Sequence, residues 1–167
     1  MRRTMIGLVL AGGFVASSPG KASDAPARHP VAPQGETHIT AGTVVIDLTT
    51  RAATPAENVP NRATRCTGGW TACSLVDALS IRVHGKRVPI PDRLPLLLAD
   101  VSTASVIRIA PERYRLTLSG GDAAAGYEAR IYFDRHMVHH MEIWSGEMHL
   151  LEQVTVYHDM ASKILAG

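Results

Sequence analysis

The chain has 167 residues, 46% of them hydrophobic and 19% charged, with 14 Gly, 10 Pro, 2 Cys and a formal net charge of +2. That is enough for one modest domain and too little for a multidomain enzyme, and the charges are too few and too balanced for a disordered polyanion or a nucleic-acid-binding arm. No motif along it names a reaction.

Met1-Arg2-Arg3-Thr4 is a short basic start, followed by an uncharged apolar run from Met5 to Ala16. This is the pattern of a secretory leader. The run is shorter than the ~20 residues a spanning helix needs, and it ends in Ser17-Ser18-Pro19-Gly20, where a helix stops. Small residues at −3 and −1 suit cleavage after Ala22 or after Ala25. Residues 1–25 therefore read as a signal peptide and the mature protein as periplasmic or secreted; the alternative is an uncleaved N-terminal anchor. Cleavage removes three of the 17 basic residues and one of the 15 acidic ones, leaving 14 of each. A neutral chain has no source for the salt-dependent attraction of a nucleic-acid binder, nor a basic face for a membrane surface. Nucleic acid is thus excluded as a partner, and no membrane span is expected once the leader is gone.

Residues 26–41, with Pro26, Pro30, Pro33 and Gly35, read as a flexible lead-in to a single β-rich domain over 42–167. Val44 to Leu48 is a β-branched run that predicts the first strand. A long loop over 50–73 follows, carrying Pro55, Asn58, Pro60, Asn61 and Gly68-Gly69. Cys66 and Cys73 are an even pair in an exported chain and predict a local disulfide. Chain entropy gives such a bridge about 2 to 3 kcal/mol. Their spacing is not Cys-x-x-Cys, and no second pair completes a zinc site.

Ser74-Leu75-Val76-Asp77 has the form of a helix start. Leu79, Ile81 and Val83 then alternate with polar residues, and His84-Gly85-Lys86 reverses the chain into Arg87 to Ile90, a small hairpin whose Pro89 confines the second strand to an edge. Leu94, Leu97, Leu98 and Val101 fall at i, i+3, i+4 and i+7, which predicts a short amphipathic helix capped by Asp92. The rest reads as a meander: Val106 to Ile109, then Tyr114 to Leu118 after Pro111, a loop over Gly120 to Gly126, then Tyr127 to Phe133, Val138 to Trp144 and Met148 to Tyr157. Asp159 caps a short terminal helix. The predicted fold class is mainly β, an antiparallel meander sheet forming a half-open barrel or a sandwich, with one or two short helices.

Ile81 through Val88, with Gly120-Gly121-Asp122, Tyr127, Ile131 and Phe133-Asp134, resembles small exported proteins of Gram-negative bacteria that carry no assigned activity. The resemblance spans about the last 90 residues and implies export to a Gram-negative envelope. It brings no catalytic residues.

His136, His139, His140, His149 and His158 fall within one short stretch, and imidazole is the commonest metal ligand. A reversal at Ser145-Gly146 places even positions of the first strand opposite odd positions of the second. Met137, His139, Met141 and Ile143 then share a face with Leu150, Glu152, Val154 and Val156, the more apolar set and the predicted core. His140, Glu142 and Trp144 share the other face with His149, Leu151, Gln153, Thr155 and Tyr157. His140, Glu142 and His149, with His136 at the turn, make a chemically adequate zinc or copper ligand set. A solvated outer face carries the same residues with no metal at all. His139 on the apolar face predicts a hydrogen-bonded core histidine. Glu152 in that same set must be paired, be protonated, or signal that the faces are reversed. His29 and His38 are assigned nothing.

No Gly-x-Ser-x-Gly or comparable nucleophile motif is present, and the Gly120–Gly126 stretch lacks the Lys and following helix of a phosphate cradle. The leading expectation is an exported binding or accessory module without catalysis or cofactor of its own. It would meet an envelope protein or a small ligand through Trp70, or through Trp144 and Tyr157. The alternative is an envelope metal-binding protein or small metal-dependent hydrolase that holds zinc or copper on His136, His140, Glu142 and His149.

Overall fold

In the computed structural model, which describes residues 26–54, 57, 73–121 and 126–158, the alternation of apolar and polar residues builds two antiparallel sheets. The smaller carries, in order across it, β2 (Gly35–Ala41), β3 (Val44–Ala52), β4 (Ser74–Val83) and β5 (Lys86–Arg87). The larger runs β1 (His29–Pro30), β6 (Val101–Ala110), β7 (Arg113–Gly120), β8 (Tyr127–Phe133), β9 (Val138–Ser145) and β10 (Leu151–Val156). Ile39, Ile46, Leu48, Ile81 and Val83 from the smaller sheet share one core with Leu116, Leu118, Ile131, Phe133 and Met141 from the larger. The protein is mainly β, an open sandwich rather than a closed barrel.

Short turns fix the meander. His84 and Gly85 both adopt positive φ, 51° and 76°, the requirement of a two-residue hairpin whose twist matches its strands. β5 stays a two-residue edge strand, and Pro89, which has no N–H, follows it. The two sheets are tied where Asp100 meets Ser74. The Asp100 N–H donates to the Ser74 carbonyl at 2.6 Å, and the Ser74 N–H donates to the Asp100 carboxylate at 2.7 Å. At the same joint the Tyr127 hydroxyl donates to the Ala99 carbonyl at 2.7 Å and accepts from the Ala99 N–H at 3.1 Å. Gly120 makes room for it: a Cβ there would stand 2.8 Å from the Tyr127 ring and 2.9 Å from the Ala99 carbonyl oxygen.

Four expectations are corrected. The lead-in is ordered, because β2 pairs with β3 along its whole length and Thr50 Oγ1 donates to the Ala32 carbonyl at 2.6 Å. As an edge strand, β2 buries only Ile39 fully, so its polar sequence hid the pairing. Thr50 to Ala52 belong to β3, and the long connection starts after them. Ser74 to Asp77 are strand, not helix. Asp77 is the extra residue of a bulge between Thr50↔Val76 and Thr49↔Ala78, and one extra residue spaces Val76 and Leu79 as a helix would. Leu94 to Val101 make only a 3-10 turn, Pro95–Leu97, with no side-chain cap. Leu98 is already extended, and Ala99 bridges to Leu75. A single turn does not repay helix nucleation, whereas burying Leu94, Leu98 and Val101 against the sheets does.

The signal peptide over 1–25, Cys66, Trp70, Asp122 to Ala125 and the terminal helix from Asp159 lie outside the described residues. Among those described, no helix is long and apolar enough to cross a membrane.

Candidate functional site

The outward face of the larger sheet, across β8 and β9, holds three of the site residues expected from the sequence, His140, Glu142 and Trp144. Register places Glu128 opposite Trp144, Arg130 opposite Glu142 and Tyr132 opposite His140. Opposed side chains in an antiparallel pair share a face, and diagonal neighbours come within reach of long and aromatic side chains. The Tyr132 and His140 rings stack with centroids 4.2 Å apart. The Arg130 guanidinium lies 4.4 Å above the Trp144 ring, a cation–π contact, and its Nε donates to Glu128 at 2.5 Å. Glu142 is the hub, accepting from the Trp144 indole N–H at 2.8 Å and from the Tyr132 hydroxyl at 3.2 Å. His140 Nε2 stands 3.8 Å from its other oxygen.

The proposed metal ligands do not converge. His140 and Glu142 are neighbours, whereas His136 lies in the β8–β9 turn, where its backbone N–H donates to Asp134 and its ring accepts from Arg135. His149 sits beyond the opposite end of β9, with φ 52°. There it lines a polar cleft of about 360 Å³ beside Trp144, Arg130, Glu128 and Gly126. Among the described residues, no three His, Cys, Asp or Glu side chains come together to hold an ion.

His139 is the extra residue of a bulge between Phe133↔Val138 and Tyr132↔His140. Val138 takes the core position, and His139 stays half-exposed, bonded to Asp134 at 2.8 Å. Burial pushes the Asp134 carboxyl up. The backbone N–H groups of His136 and Met137, together with His139, outweigh that and hold it below the ordinary aspartate value.

The expected face assignment fails on β10. The β9–β10 connection spans Gly146 to Leu150, and Leu151 does face Trp144. Glu152 then forms a further bulge, so Gln153 faces Ile143, Val154 faces Glu142 and Val156 faces His140. This reverses the parity. Val154 and Val156 lie on the outer face instead of in the core, and Gln153 and Thr155 take the opposite face, Thr155 half-buried and Gln153 exposed. Tyr157 packs against the core instead of standing beside Trp144. Its hydroxyl is buried without a hydrogen-bond partner among the described residues, and burial raises its pKa. Leu151, Val154 and Val156 remain 47%, 50% and 58% exposed. Polar and aromatic groups on β8 and β9 are therefore bordered by an exposed apolar row on β10. Sequence reasoning missed that row. The carboxylate of Glu152, out of place in an apolar series, is the signal that pointed to it.

A second hollow of about 360 Å³ lies between Arg51, Glu57, Leu75, Leu96 and Leu98. Arg51 is spent on Glu57, through two nitrogens at 2.7 and 2.8 Å, and on Asp77 at 2.9 Å. The same bonds hold the Glu57 carboxyl far below its ordinary pKa. His38, to which the sequence assigned nothing, bonds Asp47 at 2.6 Å on the exposed face of β2 and β3. Neither place offers unspent charge to a ligand. No protein-family model, no curated protein and no solved structure matches the chain, so a functional reading rests on the outer face of β8, β9 and β10.

Proposed function

We propose that the protein is an exported binding or accessory module of the periplasm or extracellular space, without catalysis of its own, and that it engages a protein partner along β10. The observation that carries this reading is the row Leu151, Val154 and Val156, exposed on a strand that, among the described residues, pairs with β9 alone. An exposed apolar edge strand is a template for another chain, which proteins ordinarily blunt with Lys, Pro or a covering element. β-strand addition is the corresponding mode of recognition. Export rests on the leader pattern over 1–25. The Cys66–Cys73 bridge belongs with it, supported by the burial of Cys73 and by the absence of a free cysteine among the described residues.

The test is one preparation from intact cells, with a photocrosslinking amino acid in place of Val156 and, as a control, in place of the exposed Glu36 on β2. A protein recovered from the periplasm should begin at Ser23 or Pro26, leave no thiol open to alkylation before reduction, and give a protein adduct from position 156 that position 36 does not give. A retained Met1 sinks export. Absence of any adduct from position 156 sinks the binding reading.

A further inference from the structure

Resting on that reading, we propose that the chain that completes β10 is a second copy of β10. It runs antiparallel about a two-fold axis, with Thr155 facing the partner subunit's Thr155 and Val154 facing the partner subunit's Val156.

The backbone supplies the first argument. Tyr157 donates its N–H to the His139 carbonyl at 2.8 Å, and Thr155 and Gln153 face Met141 and Ile143. In an antiparallel ladder, residues alternate between bonding one neighbour and bonding the other. With the odd residues spent on β9, Val154 and Val156 direct their N–H and C=O groups away from it. Pairing these two with their counterparts in a second copy forms roughly four backbone hydrogen bonds.

The side chains fix the register. Opposed residues must share a face, so the two-fold axis has to pass where a residue meets itself. If Val154 met itself, Val156 would face the bulged Glu152. If Thr155 meets itself, Val154 faces Val156, Gln153 faces Tyr157, and Glu152 stands opposite His158. Apolar then meets apolar, in a contact made twice by symmetry. From Gln153 to Tyr157 there is no charge and no proline to oppose the approach. One strand pair is small beside the ~800 Å² per partner of a standard interface, so the association is reversible and depends on concentration.

Sedimentation equilibrium of the purified protein across micromolar to submillimolar concentration should show the mass doubling, and the Val154→Lys and Val156→Lys variants should stay at monomer mass. Both residues are exposed, and their folding is checked by circular dichroism. Independently, mild oxidation of Thr155→Cys should yield a covalent dimer linked through position 155, with several-fold less from Val154→Cys. A monomer at every concentration, a dimer undisturbed by both Lys variants, or equal cross-linking from the two Cys variants overturns the proposal. A photo-adduct from position 156 to a different protein, with a monomeric wild type, overturns the second copy and leaves the binding reading standing. No adduct at all removes that reading itself.

Discussion

Tyr127 shows how one side chain serves two sheets. It sits on the core face of β8, and its hydroxyl reaches past the end of β7 to both backbone groups of Ala99, in the segment that leads from the smaller sheet to the larger. Ala99 is 1% exposed, so water cannot replace that hydroxyl. Tyr127→Phe keeps the ring but leaves a buried N–H and a buried C=O without this partner, a loss of about 1 to 3 kcal/mol. Urea denaturation should show the midpoint falling with the slope unchanged; an unchanged midpoint would mean that Ala99 finds other partners. The alternation of Tyr127, Ala129, Ile131 and Phe133 already places the ring inside. What its hydroxyl touches was not legible, because Ala99 is far away in sequence and Gly120, which permits the approach, reads only as a turn residue.

At the level of elements, strands were legible wherever the period of two ran unbroken, as in β7, β8 and most of β9. The misreadings cluster at bulges. Asp77, His139 and Glu152 are each an extra residue that shifts the faces by one, and of the three only Glu152, a carboxylate in an apolar series, leaves a trace in the sequence. The first of these made a strand resemble a helix start, and the third moved Val154 and Val156 out of the expected core. The β8–β9 turn next to the second bulge carries its own consequence. Asp134 accepts from the backbone N–H groups of His136 and Met137 at 2.6 and 3.0 Å, and its folded pKa is depressed. Its contribution is therefore complete above the ordinary aspartate pKa of about 4 and is lost as pH falls through the lower folded value. Stability measured by denaturant between pH 7 and pH 2.5 should fall at the acid end, and less steeply in Asp134→Asn. Equal acid slopes in the two proteins would remove Asp134 from the account.

Across the whole molecule, six strands face four. The longer sheet buries β7, β8 and most of β9 against the smaller one, and β10 is left with exposed residues on both faces. That imbalance, more than any cluster of histidines, distinguishes the structure, and it was beyond the reach of a sequence reading because it depends on how far one sheet extends past the other. The candidate site was half legible: His140, Glu142 and Trp144 do share a face, but they meet Arg130 and Tyr132 instead of His149. The central claim, that β10 is an edge poised to pair with another β10, predicts the behaviour of individual amides. Hydrogen exchange by NMR at low concentration should find the Thr155 and Tyr157 amides protected by β9 while Val154 and Val156 exchange rapidly. Raising the concentration into the dimer range should slow Val154 and Val156 at least tenfold. Fast exchange at Val154 and Val156 that does not respond to concentration, or protection of both already in the dilute monomer, would contradict it.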